Sequence, residues 1–354
     1  MDPRIKKLAE ILTNYSIKIK KGDTIIVNGG TEAKDLVLEV CRLILEKGAF
    51  PRLNMDLPGF AYIYYKTASD EQLRAFPKIT EFEVKNSDGV ISIGSDYNTK
   101  ELTNVNPKKI SMRMKVVRPI QDFRINQNNW VIVDFPTHAL AQDAEMSLHE
   151  FEDFVFNATN IEWENESKKQ DKLKKLLDNA STVRIVGEDT DISFSIKGRK
   201  AIKCDGHRNM PDGEVFIAPV DNSVNGHIAY SFPASYAGKE VTEIKLWFKE
   251  GRVVKFSADK NEDMLKEAIN TDDGAKKIGE FGIGLNYTIK NHVKNTLFDE
   301  KIGGTIHLAL GMAYPEGGGK NKSAIHWDMI KDLRKKGQII IDGKCIQKNG
   351  KWMI

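Results

Sequence analysis

Two hydrophobic patterns divide this chain of 354 residues, and the change from one to the other constrains its fold more than any other feature. In the first half, apolar runs alternate with amphipathic ones. Residues 24–28 (TIIVN), 50–55, 89–93 (GVISI) and 130–135 (WVIVDF) read as strands, and 32–47 reads as a helix with Leu36, Val37, Val40, Leu43 and Ile44 on one face. Strands covered by helices on both faces are apolar throughout, so this half is expected to be an α/β domain with a mainly parallel sheet. A charged helical stretch ending in KLKKLLDNAS follows, and the pattern then becomes short strands separated by Gly, Asp and Asn turns: 182–187, 191–196, 214–219, 227–232, 241–249 and 252–257, with one helix at 261–269. The second half is expected to be an α+β, strand-rich domain. The boundary falls near 178, giving domains 1–178 and 179–354.

Glycine pairs invite a nucleotide-binding reading that their spacing does not support. Gly29 and Gly30 follow the first strand but lack G-x-G-x-x-G, and Gly317 to Gly319 precede Lys320 with Asn321 where a phosphate loop needs Ser or Thr. The first pair is read as a strand-to-helix turn and the second as a surface loop. The 53 basic and 50 acidic side chains are interspersed and leave a formal charge of +3, which gives no field to recruit nucleic acid or an anionic membrane. The lysine-rich stretches at 168–175 and 331–336 read as solvated helix faces. Cys41, Cys204 and Cys345 are far apart and form no C-x-x-C pair, so neither a disulfide framework nor a thiolate zinc site is indicated. No apolar run approaches the ~20 residues of a membrane span; a cytoplasmic location is expected.

The second half concentrates histidines beside carboxylates. In His326-Trp327-Asp328 the first and third residues of an extended strand project from one face, so imidazole and carboxylate can reach one ion together. His307 in TIHLALG, Glu280 in IGEFGIG, Glu214 in PDGEVFIAP and Glu300 at the end of TLFDE join it. A carboxylate entering an apolar strand is costly to bury unless paired or coordinated. Carboxylate oxygen with imidazole nitrogen suits zinc, cobalt or manganese, and this many carboxylates would over-neutralise one divalent ion, whereas two ions sharing a bridging carboxylate use them all.

Four blocks carry a resemblance to a known family: RNMPDGEVFIAPVDNSVNG (208–226), IGEFGIGLN (278–286), NTLFDEKIGGTIHLALGMAYP (295–315) and NKSAIHWDMI (321–330). With the opening KKGDTIIVNGGTEAKDLVLEVCRLILEKGA they make nearly the whole chain similar to the aminopeptidase T group, which includes aminopeptidase S and PepS. The resemblance implies a metal-dependent aminopeptidase acting on peptides, with Glu214, Glu280, Glu300, His307, His326 and Asp328 as ligands to two divalent ions (zinc, cobalt, manganese or magnesium) and Glu280 as the bridge. It implies a catalytic role for Tyr314, whose phenol could donate to the developing oxyanion, and a homodimer with an enclosed site. The chain departs from the family in being short, with a contracted loop between His307 and His326, which bears on substrate range. His207 and His227 flank the Glu214 block as candidates for supporting or substrate-facing roles, while His138, His149 and His292 match no ligand position. Ligand chemistry alone also admits a dinuclear hydrolase of another amide or a phosphoester bond, or a non-catalytic metal-stabilised homologue.

Overall fold

A computed structural model describes residues 1–127, 129–236 and 238–353, which form two compact units. The first comprises Met1–Ile161 with Gly206–Pro211 and the second Glu162–Asp205 with Asp212–Ile354.

In the first unit the apolar runs become a parallel sheet in the order Phe50–Asp56, Thr24–Gly30, Gly89–Gly94, Trp130–Asp134, Asn209–Met210. Helix Lys34–Glu46 buries Leu36, Val37, Val40 and Ile44. Gly29 and Gly30 end the first strand. A Cβ on Gly29 would stand 2.6 Å from Val37 and one on Gly30 2.4 Å from Ser95 Oγ, so the pair permits close approach of the helix and the neighbouring strand's loop. The fifth strand has no apolar run to announce it: two residues from the second half of the sequence return to complete this sheet.

The expected boundary at 178 lies at the end of helix Trp163–Asp178, whereas the compact units divide before that helix. The reason is packing. Leu173 and Leu177 are buried in the same hydrophobic core as the strands of the second unit, Gln170 donates to the Cys204 carbonyl, and Asp178 accepts from the Ala201 amide.

The second unit holds two antiparallel sheets of note. One has eight strands, in the order Arg252–Ser257, Lys245–Lys249, Asn225–Ala229, Thr190–Ser195, Thr182–Gly187, Gln338–Ile341, Lys344–Lys348, Lys351–Trp352. The run 241–249 is two strands, Lys239–Val241 and Lys245–Lys249, because Glu243 takes a left-handed φ of 51° between them. The strand expected at 227–232 spans Asn225–Ala229. The lysines at 331–336 do not line a helix: Lys331 is buried on strand His326–Asp332 and donates to the Glu188 carbonyl. Among the described residues no helix is long and apolar enough to cross a membrane.

The other sheet runs His326–Asp332, Thr305–Gly311, Ile278–Gly284, Glu214–Ile217, Ile202–Cys204. Its two faces differ in kind. Val215, Ile217, Phe281, Ile283, Ile306, Leu308, Leu310 and Met329 point into the core, and the alternate residues carry the acids and imidazoles.

Candidate metal centre

Register brings the expected ligands together. Ala309 pairs with Glu280 on one side and Asp328 on the other, so the two carboxylates flank a methyl-sized side chain in the middle strand. His307 pairs with Gly282, His326 with Gly311, and Glu214 with Gly284. Gly282, Gly284, Ala309 and Gly311 thus leave the carboxylate-bearing face open beside every large polar group. Gly282 bears most directly on a candidate ligand, since a Cβ there would lie 2.0 Å from the His307 ring. Glu300 enters from outside the sheet, at the C-terminal cap of the short helix Thr296–Asp299.

The contacts run continuously through the cluster. His307 Nε2 is 3.1 Å from Glu280 Oε1 and 3.3 Å from Glu214 Oε2, and His326 Nε2 is 3.8 Å from Glu280 Oε2 and 3.4 Å from Asp328 Oδ2. Of four triads among the described residues with donor atoms within 4.8 Å of one another, three are made of the expected ligands: Glu214–Glu280–His307, Glu280–His326–Asp328 and Glu300–His307–Asp328. All six expected ligands are therefore brought into one cluster. His326 Nδ1 lies 2.8 Å from the Met312 carbonyl, so that nitrogen carries a proton and Nε2 is the one turned to the Glu280 and Asp328 carboxylates, where a cation could be bound.

Glu214, Glu280 and His307 are buried, and Asp328 is partly so. Glu214 Oε2, Glu280 Oε2, Asp328 Oδ1 and His307 Nδ1 have no hydrogen-bond partner among the described residues. Buried acceptors without donors are expensive unless a cation reaches them, and a nitrogen and oxygen donor set fits a divalent ion. Burial pushes the Glu280 carboxyl up and takes Glu300 to about 8 against the pull of Lys301. Burial alone would lower His307, but Glu214, Glu280 and Asp328 raise it to about 10. In the metal-free chain a proton on this imidazole supplies positive charge among the acids.

Tyr314 edges the cluster, with its ring 5.1 Å from that of His326 and 5.7 Å from that of Phe216. Burial and the nearby Glu280 and Asp328 charges raise its phenol above the ordinary range, keeping it protonated. His227 lies on the eight-stranded sheet opposite Asp191, and His207 belongs to the first unit, where it packs against Tyr15; neither joins a ligand triad. His138 opens a helix, His149 is exposed, and His292 stacks on Phe232 beside Asp299.

Three residues absent from the sequence-based set border the cluster. Lys301 is fully buried against Glu214 and Glu300, and Asp212 is 4.0 Å from the same ammonium. Cys204 lies close to Asp212 and Glu214, but burial and those acids push its thiol well up, so it is not a ready thiolate ligand. The one local signal for any of the three is the adjacency of Lys301 to Glu300 in FDEK, which by itself does not point to burial beside Asp212 and Glu214.

Known proteins resemble the chain along its length. Aminopeptidase 2 of Geobacillus stearothermophilus is 28% identical over 408 residues, covering 99% of this chain and 98% of the relative. Aminopeptidase AmpS of Bacillus subtilis (strain 168) is 27% identical, with the same coverage of each. The solved structure of wild-type AmpT from Thermus thermophilus shares the fold, with a TM-score of 0.87, 24% identity and 99% of each chain covered. The thermophilic metalloprotease (M29) family matches residues 1–352. The chain belongs to that family of metal-dependent peptidases.

Proposed function

We propose that this chain is an aminopeptidase that removes the N-terminal residue from peptides at a centre of two divalent ions. The observation that carries the reading is the position of Glu280: its two oxygens face different histidines, Oε1 toward His307 and Oε2 toward His326, and it belongs to two ligand triads. One triad, with Glu214, would hold one ion, and the other, with Asp328, would hold the second; Glu300 completes the set. The aminopeptidase names of the full-length relatives supply the substrate class.

Two ions in these positions would polarise the scissile carbonyl and acidify water at neutral pH. The chain's own residues do the rest. Glu280 fixes the spacing of the two triads, the Met312 carbonyl orients His326, and Tyr314 keeps its proton and donates to the oxygen on which charge develops. Zinc, cobalt and manganese fit a donor set that mixes imidazole with carboxylate better than magnesium, which prefers an all-oxygen shell.

Replacing Glu280 with Gln is expected to abolish hydrolysis of aminoacyl chromogenic substrates with the fold retained; unchanged turnover would refute the assignment. Comparing free and N-acetylated peptides distinguishes this activity from a general amidase, because an aminopeptidase requires the free amine. A homodimer is supported by apolar side chains left exposed in the first unit, among them Phe60, Ile63, Ile79 and Phe82. Light scattering in solution tests it.

A further inference from the structure

Lys301 is fully enclosed, and three acids lie within 4.0 Å of its ammonium: Glu214 Oε1 at 2.9 Å, Glu300 Oε1 in hydrogen-bonding contact, and Asp212 Oδ1 at 4.0 Å. An ammonium removed from water is costly unless acids surround it, and here they do. Two of these acids are candidate ion ligands, and the lysine takes one oxygen from each. At Glu214 the oxygen left over, Oε2, is buried, has no hydrogen-bond partner among the described residues and stands 3.3 Å from His307 Nε2. A carboxylate that could chelate through both oxygens is thereby restricted to one, aimed at the histidine. The lysine backbone is itself fixed, because its amide donates to the Phe298 carbonyl at 3.1 Å and its carbonyl accepts from Asn286 at 2.9 Å.

We propose that Lys301 is a positioning residue of the metal centre, holding Glu214 and Glu300 so that each presents a single oxygen to the ion on the His307 side. The inference rests on reading the cluster as a two-ion site. It is also asymmetric. His326 and Asp328 are not among the groups Lys301 touches, so its loss should weaken one ion and spare the other.

The test uses the full chain, stripped of metal, as wild type, Lys301→Met and Lys301→Gln. Folding is checked by circular dichroism, zinc uptake is followed by calorimetry and cobalt uptake by visible absorption. The wild type is expected to take up two ions. In Lys301→Met the affinity for one ion should fall about 10–100-fold, the usual cost of losing a group that orients a ligand, with the matching part of the cobalt spectrum altered and the other ion bound as before. Lys301→Gln keeps an amide donor and should lose less affinity for the same ion. Two ions bound with wild-type affinities and spectrum in Lys301→Met overturn the proposal. So does equal weakening of both ions with a lowered melting temperature of the metal-free protein, or failure of both variants to fold, since either assigns Lys301 to the fold rather than to one ion. A wild type that binds no ion refutes the two-ion reading itself.

Discussion

Gly282 and His307 face each other across adjacent antiparallel strands, and the imidazole occupies the space where any other residue at 282 would place its Cβ. The glycine therefore shapes the candidate metal centre although it offers no ligand atom. Gly282→Ala should push the ring out of line with Glu214 and Glu280, lowering both metal affinity and peptide hydrolysis by about 10–100-fold. Metal titration alongside steady-state kinetics checks this, and unchanged uptake would show that the ring has another place to go.

Tyr314 is expected to act on the transition state and not on the ions. Tyr314→Phe keeps the ring against Phe216 and His326 and removes only the donor, so kcat should fall about 10²–10³-fold, the range for loss of one oxyanion-stabilising group. Metal content should stay at the wild-type value. A variant that loses ions as well as turnover would place the phenol among the ligands.

Ion uptake should release protons. In the metal-free chain His307 is raised to about 10 and Glu300 to about 8, so both carry a proton at pH 7, and an ion binds only the deprotonated groups. At least about two protons should leave on full loading at pH 7, because burial also raises Glu280 and, against burial, the Asp328 and Glu280 charges raise His326; fewer should leave as the pH rises past 8, and affinity should therefore rise with pH. The sign for folding is the reverse: His307, raised above its unfolded value, contributes stability to the metal-free protein below about pH 6.5 that is lost as the pH rises through about 10. Calorimetry in buffers of different ionisation enthalpy counts the protons, and His307→Gln should reduce the count by about one.

The opposite face of the same strand gives a contrasting result. Phe281 is fully buried and meets Phe194 edge to face at 5.1 Å. Phe281→Ala should cost about 3–5 kcal/mol of unfolding free energy in chemical denaturation. A loss well under ~1 kcal/mol would contradict the packing described for this core.

Four of the five parallel strands and the two central strands of the site were legible from their apolar runs, as in GVISI, IGEFGIG and TIHLALG, the last two of which are buried along their whole length. A glutamate or histidine interrupting such a run marks itself. Lys301 does not, because the acids that make its burial tolerable include Asp212 and Glu214, far earlier in the chain, and that proximity comes from strand register. The break at Glu243 depends on a left-handed backbone at a non-glycine residue, for which the apolar pattern gives no warning. The division between units differs from the expected one because helix Trp163–Asp178 is mostly charged, while three of its few apolar residues, Leu173, Leu176 and Leu177, pack on the core of the second unit. Glu280 as a bridge came from family likeness; the direction of its two oxygens is a property of the fold.

The central claim is that two ions share Glu280. Anomalous diffraction from crystals grown with zinc or manganese tests it most directly. Two peaks are expected, one beside Glu214 and His307 and one beside His326 and Asp328, with a Glu280 oxygen on each; a single peak, or a pair that leaves Glu280 uncoordinated, would contradict the claim.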